Sequence, residues 1–326
     1  MGGVLKDGEW VSEESFANEE GRYDRQPSQF RGWLTADGAP GPDGQEGFKA
    51  EADRYHLYVS YACPWAHRTL ILRALKGIEE MLPISVTHWL MRDQGWTFHE
   101  GPGVIPDPMG HETLHGIYQH ADPKVNGKAT VPVLWDKKTE RIVNNESSEI
   151  IRMLTRAFDG LGAKPLDTYP DALRSEIDEV NERVYHTVNN GVYKAGFAEK
   201  QKVYEEEVEK LFSSLRWLED RLEGEDYLVG NTLTEADIRL LTTLLRFDAV
   251  YYGHFKCNVT RIADMPNLHR YMLGLARMPE VAGTIHLDHI KGHYYGSHRS
   301  INPTGIVPVG PELDFGSAPL PDAGNA

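Results

Sequence analysis

Cysteine is nearly missing from this chain: Cys63 and Cys257 are the whole supply in 326 residues. Two thiols so far apart cannot build a disulfide scaffold, so the chain reads as a reduced, cytoplasmic protein. No apolar run approaches the roughly 18 residues of a membrane span. The N-terminus, MGGVLKDGEW, carries no apolar h-region, and neither secretion nor a membrane partner is expected. Basic residues are in deficit, with 34 Lys and Arg against 49 Asp and Glu, a net charge of −15. So acidic a surface repels phosphate backbones and anionic lipid, which argues against nucleic acid as a partner. There is no G-x-S-x-G elbow and no complete P-loop, since Gly127-Lys128 lacks the upstream glycine. A Cys-x-x-Cys dithiol is missing too, because Ala stands at position 66.

What is present is an ordinary core supply, 40% hydrophobic residues with 25% charged. At roughly 150 residues per domain the length implies two domains. Residues 1–47 are rich in Gly, Pro and charge and read as an extended arm or irregular lid, with Tyr23, Phe30 and Trp33 as anchors. Residues 54–60 alternate and are β-rich, a strand. The helix that follows has Leu70, Ile71, Ala74, Leu75 and Ile78 at helical spacing, with Pro64 suited to its first position and Cys63 to its N-cap. Residues 83–90, 129–135 and 141–143 read as strands, and 147–158 as a helix opened by Ser147 or Ser148. The order β, α, β, α, β, β, α predicts an α/β thioredoxin-like domain over 48–158, with an insertion from Arg92 to Lys124. After a linker at 159–170 the strand signals stop. Residues 172–190, 199–223, 234–253 and 266–280 suit helices, an all-α domain over 170–294. A proline-rich tail, 295–326, closes the chain.

Cys63-Pro64-Trp65-Ala66 lies between a strand and a helix. A thiol at a helix N-terminus faces unpaired N–H groups and the positive end of the macrodipole, so a lowered pKa and a nucleophilic role are expected. Without a second thiol nearby, the resolving thiol must come from outside. Pro132, in Thr130-Val131-Pro132-Val133, sits badly in a strand unless the Val131–Pro132 bond is cis. Such a bond is expected to leave the Val131 N–H and C=O free for a peptide-like ligand. Glu146-Ser147 opens a helix whose N-terminus favours an anion. With Glu146 beside it to neutralise an ammonium, the pair suits an α-amino-acid end such as a γ-glutamyl group.

Taken together, these features resemble the glutathione transferase plan. Leu228-Val229-Gly230-Asn231-Thr232-Leu233-Thr234-Glu235-Ala236-Asp237 resembles the family's helical-domain signature, with Thr234 capping and Asp237 at N3. RYHLYVSYACPWAHRTLILRALKG, TVPVLWDKKTERIVNNESSEIIRM and the aromatic arm are similar to the glutathionyl-hydroquinone reductases, the Xi class, over about residues 20–300. The resemblance implies Cys63 as nucleophile and Trp96 as the tryptophan that holds glutathione. It implies Lys128, Ala129, Thr130 and Val131 as the segment beside the tripeptide, and Glu146 with Ser147 as the γ-glutamyl site. Tyr193 is implied as proton donor or acceptor, and Tyr251 and Tyr294 as tyrosines that lower the thiol pKa. Tyr252 and Tyr295 adjoin the last two, which leaves the register open. The pattern leads to Arg at position 128; Lys stands there, keeping the charge but losing the planar fork. Glutathione is implied as co-substrate, glutathionyl-hydroquinones as substrates and a homodimer as the assembly; no metal is expected. The rival readings are an omega-like thiol transferase or dehydroascorbate-type reductase, a conjugating transferase, and a non-catalytic glutathione-binding protein.

Two histidine patterns compete for attention. His111-Glu112-Thr113-Leu114-His115 matches the zincin H-E-x-x-H, but Pro106, Pro108, Gly110 and Gly116 bound it, and a short helix is the better reading. His286, His289 and His293 with Asp288 spell no recognised metal site.

Overall fold

The computed structural model describes residues 2–12, 17–313 and 315. Its centre is a four-stranded sheet in the order β6-β5-β7-β8, built from Tyr55–Val59 (β5), Ile84–Val86 (β6), Val133–Asp136 (β7) and Arg141–Asn144 (β8). Strand β5 runs parallel to β6 and antiparallel to β7, and β7 pairs antiparallel with β8. This is the thioredoxin-like unit. Helices α1 (Pro64–Lys76) and α3 (Ser147–Arg156) pack against each other beside it. Helix α1 starts on Pro64, whose missing N–H is no loss there, and ends on Gly77 at φ +63.

The alternation of β5 misleads in one respect: every residue from Tyr55 to Val59 is buried. The insertion accounts for the difference. Asp107 accepts a hydrogen bond from the Tyr58 hydroxyl at 2.7 Å, and the Phe98 ring lies 5.9 Å from that of Tyr58. Ser85 bonds the ring of His56 at 2.8 Å. Polar edges on the second face are therefore satisfied internally, and a half-polar strand sits fully inside.

The N-terminal segment is more ordered than an irregular arm. Gly3–Lys6 (β1) and Glu9–Ser12 (β2) form a hairpin, turned by Asp7 and Gly8 at φ +49 and +82, the signature of a type I′ turn. Trp33–Thr35 (β3) pairs in parallel with Gly47–Lys49 (β4). The segment is tied to the sheet edge through Gly32 N–H to Val143 O and Asn145 N–H to Phe30 O.

After Asn144 no strand occurs among the described residues. The helical region holds Arg174–Val184 (α4), Gly191–Gly196 (α5), Gln201–Arg221 (α6), Glu235–Arg246 (α7), Pro266–Ala276 (α8), Pro279–Ala282 (α9) and Leu287–Ser297 (α10). The long helices read at 172–190 and 234–253 are each interrupted by a π-helical turn, Tyr185–Asn189 and Phe247–Tyr251. Helix α10 carries no aliphatic period, and the division expected at 294 falls inside it. The end of the expected tail, with Pro319 and Pro321, lies outside the described residues.

Helix α7 is almost wholly buried. Asp237 accepts from the Thr234 and Leu228 N–H groups and from the Tyr271 hydroxyl, all at 2.8–2.9 Å. Next to it, Glu235 has no exposure and accepts from Arg152 of α3, Asn181 of α4 and Arg239. This carboxylate joins the two domains. Glu235→Ala would strand the buried Arg239 and Asn181, and should cost about 3–5 kcal/mol in urea unfolding; a loss under 1 kcal/mol would show that the junction holds without it.

Candidate active site

Cys63 is the N-cap of α1, half-buried, with its thiol donating to the Val131 carbonyl at 3.6 Å. The Val131–Pro132 bond is cis. Its N–H has no protein acceptor among the described residues, but its carbonyl is engaged by the thiol rather than free as expected. Burial pushes the Cys63 thiol up. The N–H groups of Ala66 and Trp65 and the guanidiniums of Arg246 and Arg25 pull it down, without reversing the direction. This direction runs opposite to the lowering expected from the helix start: burial costs the thiolate more than the two N–H groups and the two cations return. Cys257 is fully buried and also pushed up by burial.

That wall is the cavity itself, about 130 Å³, lined by Cys63, Tyr23, Trp65, Trp96, Tyr193, Phe197, His293, Tyr294 and His298 among others. Tyr193 and Tyr294 share a hydrogen bond of 2.5 Å, and Tyr251 joins Tyr294 at 3.0 Å from behind. The register at both positions is therefore visible: Tyr251 and Tyr294 turn inward with 0% and 1% exposure, while Tyr295 reaches the Ala249 carbonyl instead. Burial holds Tyr193 and Tyr294 far above the phenol range and Tyr251 up at about 12. No hydrogen bond joins these hydroxyls to Cys63 among the described residues, so in this geometry they do not stabilise a thiolate as expected.

Trp96 stacks on His293 at 4.7 Å on the cavity wall. Lys128 and Thr130 line a neighbouring cavity with the arm residues Tyr23 to Gln29, Tyr118 and Asn145. Both the N–H and the C=O of Thr130 are taken by the Tyr118 hydroxyl, at 3.2 and 2.8 Å. Ala129 is partly buried between them. Glu146, rather than Ser147 or Ser148, is the N-cap of α3, accepting from the Ser148 N–H at 3.2 Å. Its other oxygen accepts from Ser28 of the arm at 3.0 Å. Burial raises its carboxyl, but the Arg25 charge and the Ser28 and Ser148 hydrogen bonds outweigh that, so Glu146 stays ionised. Ser147 is buried, with Arg68 donating to its hydroxyl at 3.3 Å. Cys63, Trp96, Tyr193 and Tyr294 thus line one cavity, Lys128 and Thr130 a second and Glu146 a third; Tyr23 of the arm is shared by the first two, and Pro27 and Ser28 by the last two, while Ala129, Val131, Ser147 and Tyr251 are not among the lining residues.

Sequence reasoning missed Arg25, which lies 4.1 Å over the Trp65 ring and whose charge acts on both Cys63 and Glu146. It also missed His298 and Arg246, and weighed His293 only as a metal ligand. Arg246 carried a readable signal, a charge closing the stretch Leu240-Leu241-Thr242-Thr243-Leu244-Leu245 that Arg239 opens. The histidine patterns dissolve. His111 and Glu112 precede helix α2 (Leu114–Ala121), which Thr113 caps, so His111 and His115 share no helical face. His286, His289 and His293 turn to Tyr61, the Pro102 carbonyl and the Trp89 carbonyl respectively. Iodoacetamide alkylation of Cys63 should therefore titrate above the ordinary thiol range, and Arg25→Ala should move it higher still. A plateau reached below pH 7 would contradict this balance.

Family models for the glutathione S-transferase N-terminal and C-terminal domains match residues 62–157 and 201–273. The chain is 57% identical to glutathionyl-hydroquinone reductase YqjG of Escherichia coli, over 90% of both chains. It is 54% identical to glutathionyl-hydroquinone reductase PcpF of Sphingobium chlorophenolicum, over 98% of both. The glutathione-bound structure of YqjG superposes with a TM-score of 0.88 at 54% identity, covering 96% of this chain and 97% of that one. The Xi glutathione transferase of Phanerochaete chrysosporium gives 0.86 at 49%, covering 94% and 97%. The thioredoxin-like domain, the all-α domain and these relatives agree: the chain belongs to the Xi class of the glutathione S-transferase family, that of the glutathionyl-hydroquinone reductases.

Proposed function

We propose that this protein reduces glutathionyl-hydroquinones to hydroquinones at Cys63, with glutathione as co-substrate. One observation carries the reading: a lone thiol at a helix N-terminus shares its cavity with a chain of phenols held in their protonated form. Conjugating transferases need a hydroxyl that stabilises the glutathione thiolate. A cysteine forms a mixed disulfide with it instead, which suits removal of a glutathionyl group.

In the substrate the sulfur sits on an aryl carbon, a poor leaving group. Tyr193, backed by Tyr294 and Tyr251, delivers a proton to that carbon as the adjacent ring hydroxyl gives up its own, which converts the ring to its keto tautomer. The Cys63 thiolate attacks the glutathione sulfur and an S–S bond forms. The C–S bond breaks, and its electron pair returns to the ring, which takes up a proton as hydroquinone. A second glutathione thiolate then attacks the Cys63-bound glutathione, releasing glutathione disulfide and restoring the Cys63 thiolate. In the net change the substrate's C–S bond becomes C–H, and its glutathionyl sulfur joins the sulfur of one glutathione thiol as the disulfide. A high thiol pKa lowers the thiolate fraction but raises its intrinsic nucleophilicity, and Arg246 and Arg25 support the charge as it forms.

In this reading Trp96, the Lys128–Val131 segment, Glu146 and Ser147 hold the tripeptide. The protein acts as a cytoplasmic homodimer, and light scattering at 36.8 kDa in the micromolar range would refute the dimer. The chemistry is tested by incubation with glutathionyl-menadiol and mass spectrometry, which should find one glutathione on Cys63. Cys63→Ser should abolish turnover and Cys257→Ser should leave it; equal loss in both sinks the scheme. Tyr193→Phe should lower kcat by about 10²–10⁴ with glutathione affinity intact. Wild-type turnover in that variant passes the acid role to another group.

A further inference from the structure

His293 lies on α10 with 7% exposure, and its ring forms part of the cavity wall beside Cys63. Its Nδ1 is 2.8 Å from the Trp89 carbonyl oxygen. A carbonyl only accepts, so Nδ1 carries the proton, and in the neutral ring Nε2 is a bare acceptor. The Ser297 hydroxyl, 3.3 Å away, is a second contact on the same Nδ1 side. Burial keeps the ring neutral, pushing its pKa down to about 4, with Arg246 and His289 adding to the effect and the Trp89 carbonyl opposing it. Nε2 has no protein donor among the described residues. The ring is fixed by stacking on Trp96 and by an edge contact with Tyr294 at 5.2 Å.

Its cavity neighbours differ in one respect. The hydroxyls of Tyr193 and Tyr294 can donate or accept, so they tolerate either partner. His298 pairs its Nδ1 with Nε2 of His254 at 3.2 Å, a contact that either ring can donate. His293 faces the cavity as a one-way group.

We propose that Nε2 of His293 accepts a hydrogen bond from a ring hydroxyl of the hydroquinone, so that the cavity selects the reduced ring over the quinone. This rests on the reductase reading above. A hydroquinone offers O–H donors, whereas a quinone offers only carbonyl acceptors. Two buried acceptors set against each other repel and leave both unsatisfied, a mismatch worth roughly ten-fold in binding. His293 is thereby a substrate-positioning residue.

The test uses the full-length protein and glutathionyl-menadiol beside its two mono-O-methyl ethers. Wild type should handle one ether with a KM roughly ten-fold above the parent. His293→Asn keeps an amide donor near the Nδ1 position but removes the Nε2 acceptor. It should raise KM for the parent to that of the ether, abolish the discrimination and leave KM for glutathione unchanged. His293→Gln, which returns an oxygen near the Nε2 position, should recover part of it. The proposal is overturned if His293→Asn still discriminates as wild type does, or if the loss falls on glutathione KM. Should wild type not turn over glutathionyl-menadiol at all, the reductase reading fails instead. Anaerobic calorimetry with menadiol and its methyl ethers on wild type and His293→Asn then decides the contact: a hydroxyl preference lost in the variant supports it, and equal affinities refute it.

Discussion

A buried guanidinium governs the geometry of this site. Arg246, at the end of α7, has no exposure and donates to the carbonyls of Ala62, Tyr61 and Thr242 and to Nδ1 of His67. Arginine does not shed its proton in proteins, so a charge must be accommodated inside. It is met by carbonyl dipoles and an imidazole, with no carboxylate in the set. Two of those carbonyls belong to the turn that leads into Cys63. The helical domain therefore holds the thiol-bearing turn of the other domain by a charge that cannot leave without stranding them. The constraint continues: His67 accepts from Arg246, so its Nε2 proton points to the Thr284 hydroxyl at 2.8 Å, and Thr284 donates to Val281 at 2.7 Å.

The same burial sets the chemistry. An aromatic enclosure raises the thiol and all three phenols together, so the cavity is stocked with protons rather than with charge. Arg246 and Arg25 are the counterweight, one from the core and one from the arm. Because Arg25 also keeps Glu146 ionised, the arm couples the thiol to the carboxylate at the head of α3. An N-terminal segment that began as a composition anomaly is thus part of the electrostatics of the site.

Much of this was legible in local patterns. The strand–Cys-Pro–helix start, the Thr234 and Asp237 capping box and the switch from mixed elements to helices depend on neighbours in sequence, where propensity and capping act. The π-helical turns, helix α10 and the burial of both faces of β5 were not legible, since each depends on what packs against it. Helix α10 shows the reason plainly: LDHIKGHYYGS presents His and Tyr to the interior, and those residues are core only because Trp89, Trp96 and Pro102 supply partners.

By itself the sequence determined the cysteine at the helix start, the two-domain order and the set of tyrosines, because residue type and spacing specify helix starts and chemical capability. Tertiary structure alone decided the protonation balance at Cys63, the inward choice of Tyr251 and Tyr294, the cap at Glu146 and the tautomer of His293. Those outcomes depend on desolvation and on hydrogen-bond partners distant in the chain, and a pKa is a property of surroundings rather than of a residue.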